Sequence, residues 1–140
     1  MEATKAKELT EMVIQDLVSG EVDACRPDVS VAEAAQRMMT DDVGSLAVVH
    51  DGELVGIFTE RDVLRSVAEG LDPHSSKVSD VMTPDPDSLS PEITVEDAAA
   101  WMMAAGYRHL PVIADGNLIG MVSIKDVMWA MLEEGDVRPA

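Results

Sequence analysis

The chain has 140 residues, a net charge of −17, 46% hydrophobic residues and only 3% aromatic ones. Such a length suits one compact unit with a core of aliphatic side chains and methionine, and the charge excludes non-specific attraction to nucleic acid or to an anionic membrane, so a phosphate ligand needs a local basic cluster. Cys25 is the one cysteine, which excludes an intrachain disulfide and a cysteine-based zinc site.

Leu9, Met12, Val13 and Leu17 recur at three and four and predict an amphipathic helix from about Ala3 to Ser19, stopped by Gly20, that docks on the body of the chain or on a partner subunit. Residues 1–20 are therefore read as an N-terminal helix. Lys5, Lys7, Glu8 and Glu11 stand where a signal peptide needs an apolar run, and no apolar stretch approaches the ~20 residues of a membrane span. A soluble, cytoplasmic protein is expected, with no nucleic-acid or membrane partner.

A first repeat follows over residues 21–70. Ser30 with Glu33 forms a capping box ahead of the apolar face Val31, Ala34, Ala35, Met38 and Met39. Leu46–Val49 and Leu54–Phe58 are strands joined by Asp51-Gly52, a strong hairpin signal. A helix from Arg61 to about Glu69 turns Val63, Leu64, Val67 and Ala68 inward. Residues 71–80 are polar, contain Pro73 and read as a connector.

The second repeat, 81–134, writes the same pattern. Thr94 and Asp97 cap a helix with Val95, Ala98, Ala99, Met102 and Met103; Asp115-Gly116 joins Leu110–Ile113 to Leu118–Val122; and Lys125 to about Glu133 presents Val127, Met128, Met131 and Leu132. Pro111 has no amide proton and must lie where no ladder bond is required. Residues 135–140 are a tail. The copies align without a gap at an offset of 64, as Pro27 and Pro91 or Asp62 and Asp126 show. Two copies are too few for a solenoid, so a closed pair is expected, each half covering the apolar face of the other.

Each copy closes on a glycine, a hydroxyl residue and an aspartate at spacings of three: Gly56, Thr59, Asp62 and Gly120, Ser123, Asp126. At a helix start this is a capping box with an acid in the first turn. The same geometry can serve a ligand, since exposed amides there attract phosphate and an aspartate accepts hydrogen bonds from a ribose diol. Arg61 and Lys125 would add positive charge. Before the hairpins the copies differ: Val43-Gly44-Ser45 is neutral, whereas Tyr107-Arg108-His109 offers a planar guanidinium and a ring that titrates near neutral pH.

With these paired motifs, the Arg108-His109-Leu110-Pro111-Val112 stretch and the repeated helix-hairpin-helix, the chain from about Val22 to Glu133 resembles a tandem CBS (cystathionine-β-synthase-type) domain pair. The resemblance implies a mixed α/β fold, two β-α-β-β-α repeats packed as a pseudo-twofold pair, that senses adenosine derivatives in clefts between the copies. AMP, ADP, ATP and S-adenosylmethionine are the candidate ligands; no cofactor is required and no metal is implied. It further implies that Asp62 and Asp126 hold ribose, that Thr59 and Ser123 lie near ribose or phosphate, that Arg61, Arg108, His109 and Lys125 neutralise phosphate, and that Thr94 lies near the ligand. Ala47, where the second copy has Pro111, and the uncharged Val43-Gly44-Ser45 depart from the pattern and point to unequal clefts. A stand-alone module that is a homodimer and acts in trans on a target protein is expected. The other reading is a scaffold whose clefts are vestigial. An enzyme is not expected: His50, His74 and His109 lack a catalytic motif around them.

Overall fold

The structure, a computed structural model, describes residues 12–134. The described chain divides into two units, residues 22–86 and residues 12–21 together with 87–134.

In the first unit, β1 (Ala24–Cys25) runs parallel to β2 (Ser45–His50), which forms a hairpin with β3 (Glu53–Thr59), and β4 (Thr83–Pro84) completes a four-stranded sheet in the order β1-β2-β3-β4. The hairpin turn places Asp51 and Gly52 at φ 51° and 79°, the left-handed pair that a two-residue turn matched to strand twist demands. Helix α1 (Val31–Asp41), with Ser30 Oγ accepting from Glu33 N at 3.0 Å, and helix α2 (Glu60–Ala68) flank the sheet. Val31, Ala34, Met38, Leu46, Val48, Phe58 and Val78 build the core. A one-turn helix, α3 (Val78–Val81), precedes β4.

The second unit repeats this plan with α4 (Val95–Ala105), the hairpin β5 (His109–Ala114) and β6 (Asn117–Ser123), and α5 (Ile124–Glu134). Asp115 and Gly116 reproduce the turn at φ 51° and 79°, and each hairpin carries a bulge at the same place, between Val48 and Val49 and between Val112 and Ile113. The sheet here is β5 and β6 alone, and Pro111 accounts for the missing counterpart of β1. In the first unit Ala47 N donates to Asp23 O at 2.9 Å, tying β1 to β2; Pro111 has no such donor, so the corresponding pairing shrinks to a single bridge, Leu89 with Val112. Its carbonyl is still used, accepting from Leu89 N at 2.8 Å.

The segments that lead into the repeats are exchanged. Val13 bridges to Thr94 in the second unit just as Lys77 bridges to Ser30 in the first. Ile14 N donates to Ile93 O, and Val78 N to Val29 O, both at 2.9 Å; Ile14 and Val78 are both fully buried. This corrects the predicted N-terminal helix over residues 12–19. Its residues 1–11 lie outside the described residues, but Val13 and Val18 are extended and only Ile14–Leu17 coils, as a 3-10 turn. Ile14 and Gln15 give their amides to the carbonyls of Ile93 and Pro91, an alternative that local periodicity does not register. Ile14 enters the second unit's core, and Met12 and Leu17 of the stripe pack against it, within the chain. The stretch read as a connector includes the start of α3 and its buried Val78.

Four helix faces are narrower than the apolar pattern predicts. Val31, Ala34 and Met38 are buried but Met39 is 82% exposed; Met102 is buried but Met103 is 66% exposed. On α2, Leu64 and Val67 are exposed, and on α5 Met128, Met131 and Leu132 are partly so. One edge of each apolar stripe therefore lies outside the core.

Candidate functional site

The second unit gathers most of the sequence-predicted site residues at the open end of its hairpin. His109 and Ser123 are register partners across β5 and β6, and Ile124 N donates to Arg108 O at 2.8 Å, which places Arg108 against the start of α5. Ser123 closes the helix start: Asp126 N donates to Ser123 Oγ at 3.0 Å, and Ser123 N donates to Asp126 Oδ2 at 3.2 Å. Lys125 is in the first turn. Arg108, Lys125 and Asp126 are exposed, while His109 and Ser123 are half-buried. Residues that carry a carboxylate, a hydroxyl, two cations and an imidazole thus lie at or beside the start of one helix. Cations at a helix start suit phosphate, and a carboxylate suits a diol.

Beside it, Tyr107 donates its hydroxyl to the Asp87 carboxylate and meets Trp101 edge-on, ring centroids 5.5 Å apart at 77°. The hydrogen bond to Asp87 raises the Tyr107 phenol above its ordinary range. These contacts anchor the residue immediately before Arg108.

The first unit builds the same frame with different side chains. Ser45 pairs with Thr59, and Glu60 N donates to Gly44 O at 3.1 Å, so Gly44 and Ser45 stand where the second unit has Arg108 and His109. Thr59 N donates to Asp62 Oδ2 at 2.9 Å, and Asp62 N donates to Thr59 Oγ1 at 3.4 Å, a reciprocal capping box.

The family model for the CBS domain matches residues 14–69 and 78–133, both copies. The chain belongs to the CBS domain family. Its fold is that of a tandem CBS pair, the mixed α/β arrangement that the duplicated sequence implies. It is 42% identical over 116 residues to the CBS domain-containing protein CBSX3, mitochondrial, of Arabidopsis thaliana, a match that covers 79% of this chain and 56% of that protein. The chain therefore spans little more than half the length of that relative. Among solved structures it is similar to the CBS domain protein NE2398, with a TM-score of 0.81 at 35% identity, covering 86% of this chain and 97% of that one. The crystal structure of CBSX2 in complex with AMP is also similar, with a TM-score of 0.73 at 29% identity, covering 87% and 97%.

Within this CBS pair the predicted residues fall into three groups. Arg108, His109, Ser123, Lys125 and Asp126 come together in the second copy. Thr59, Arg61 and Asp62 come together in the first, Arg61 exposed and Asp62 only 2% exposed. Thr94 caps α4, accepting from Asp97 N at 3.1 Å, and its backbone pairs with Val13. Arg65 escaped the sequence reading. Its Nη1 donates to Asp62 Oδ1 at 3.3 Å, and an acid followed three residues later by an arginine on a helix is the signal that could have revealed it. Among the described residues, no helix is long and apolar enough to cross a membrane.

Proposed function

We propose that this CBS pair is a non-catalytic regulatory module that binds an adenine nucleotide or a related adenosine derivative and reports it to a partner protein by a change of conformation. The observation that carries this is the grouping of Arg108, His109, Ser123, Lys125 and Asp126 around one helix start. In a chain of net charge −17, an anionic ligand needs such a local cluster to overcome the repulsion of the whole. Arg108, His109 and Lys125 meet phosphate, Asp126 accepts from the ribose hydroxyls, and Ser123 lies between them. The AMP complex of a structural relative supports adenosine as the nucleoside. AMP, ADP, ATP and S-adenosylmethionine are the ligands to compare. A nucleotide can act as a signal only by binding one conformation better than another.

A second copy of the chain is the partner we propose for the exposed apolar surface. Met39 and Met103, Leu64 and Met128, and Val67 and Met131 occupy equivalent positions in the two repeats, and all are exposed. A pattern kept through the duplication and left outside both cores suits self-association. The competing reading, an interaction scaffold without ligand, draws on the capping boxes, which explain Thr59, Asp62, Ser123 and Asp126 by themselves.

A thermal-shift series with AMP, ADP, ATP, S-adenosylmethionine and NAD separates the two. Ligand at about a hundred times its Kd adds roughly 2.7 kcal/mol, several degrees in Tm. A shift that disappears in Asp126→Ala supports the sensor; no shift with any of the five supports the scaffold.

A further inference from the structure

We infer that the two CBS copies are not equivalent nucleotide sites: the Asp62 copy is closed by its own side chains, and the chain takes up one nucleotide, through Asp126. The inference rests on the nucleotide-binding reading. The duplication sets Asp62 and Asp126 at the same position of their helices, behind Thr59 and Ser123. Their surroundings differ.

The Asp62 side chain is 3% exposed. Its Oδ2 accepts from Thr59 N at 2.9 Å and from Thr59 Oγ1 at 3.2 Å, and its Oδ1 accepts from Arg65 Nη1 at 3.3 Å. Both oxygens are engaged, and burial leaves a diol no open side from which to approach. A ribose would have to replace a guanidinium with two neutral hydroxyls, weaker donors to a carboxylate than a cation is. Asp126 is exposed and accepts from Ser123 N at 3.2 Å. The position equivalent to Arg65 is Trp129, 47% exposed and without charge.

The phosphate side discriminates in the same direction. Arg61 and Lys125 are counterparts and cancel in the comparison. At the positions of Arg108 and His109 the first copy has Gly44 and Ser45, and Ser45 is buried at 6%. Only the second copy therefore combines an accessible carboxylate with an exposed permanent cation, Arg108, beyond the shared one.

Calorimetric titration of the whole chain with AMP tests this, using wild type and Asp126→Asn, whose side-chain oxygen can still accept from Ser123 N and so keeps the helix cap. The expected result is one AMP per chain in wild type and an affinity at least about tenfold weaker in Asp126→Asn, with circular dichroism showing both proteins equally folded. Two AMP per chain, or a bound AMP whose affinity Asp126→Asn leaves unchanged, overturns the single-site inference while nucleotide binding stands. No binding of AMP, ADP, ATP or S-adenosylmethionine by wild type overturns the nucleotide reading and the inference with it.

Discussion

Val18 lies flat against Gly120, and Met82 lies against Gly56 at the equivalent place in the other repeat. Each contact presses the segment leading into one repeat onto the second hairpin strand of a unit built by the other. A Cβ added to Gly120 would come within 2.8 Å of Val18 Cβ, and Val18, branched at Cβ, has few rotamers in which to retreat. Gly120→Ala should destabilise by about 1–3 kcal/mol, seen as a lower urea midpoint. Gly56→Ala should cost less, because the Met82 thioether can swing aside, although Thr83 O at 3.0 Å does not. Equal midpoints for wild type and Gly120→Ala would mean that Val18 does not dock there.

Asp62 and Asp126 should separate in stability as well as in binding. Asp126 is an exposed cap, and Asp126→Ala should cost about 1 kcal/mol. Asp62→Ala removes a buried carboxylate with three donors and should cost roughly 2–3 kcal/mol. Arg65 is half exposed, so Arg65→Ala should cost only about 1 kcal/mol or less. A double-mutant cycle over Asp62 and Arg65 measures their coupling directly; a coupling of zero would refute the pairing.

Burial raises the Cys25 thiol pKa, partly opposed by Arg37 and reinforced by Glu33. A raised folded pKa means that the folded state holds the proton more tightly. The thiol's contribution to stability is then complete below the unfolded value of about 8.5 and is lost as pH rises through the higher folded value. Stability should therefore fall more steeply above about pH 8.5 in wild type than in Cys25→Ala. Labelling by a thiol reagent at neutral pH should be slow in the folded protein and fast in urea.

Pro111→Ala restores the amide that Ala47 uses in the first repeat. The unfolded chain gains freedom worth about 0.4–1 kcal/mol, and a new bond to Asp87 O would return about 1 kcal/mol. Stability should stay nearly level while the new amide at position 111 becomes protected from hydrogen exchange. Rapid exchange at that amide would show that the Leu89 bridge cannot grow into a strand pair.

Leu64→Lys with Met128→Lys should convert a dimer to a monomer in sedimentation velocity while changing the monomer's own unfolding free energy by no more than about 0.5 kcal/mol, because both side chains lie outside the cores. Unchanged sedimentation would place self-association elsewhere or exclude it.

The duplication, the hairpins and the helix starts were legible in the chain itself. Asp51-Gly52 and Asp115-Gly116 demand left-handed turns, Ser30, Thr59, Thr94 and Ser123 cap the helices that follow them, and both effects act over a few neighbouring residues. The family and its fold were legible for the same reason: short local signals recur at a single offset. The tertiary structure alone decided where the lead segments go, because Ile14 finds the carbonyl of Ile93 rather than one a turn away in its own segment, and no local period encodes a partner so distant in the chain. It alone decided that Met39, Leu64 and Met103 fall outside the core, since a helical period describes a stripe but not how much of it the neighbouring sheet covers. Above all, it separated Asp62 from Asp126, two aspartates in the same motif. Burial and the reach of Arg65 enclose one, whereas the other is left in water at the start of its helix, and both conditions are set by the packing around the motif.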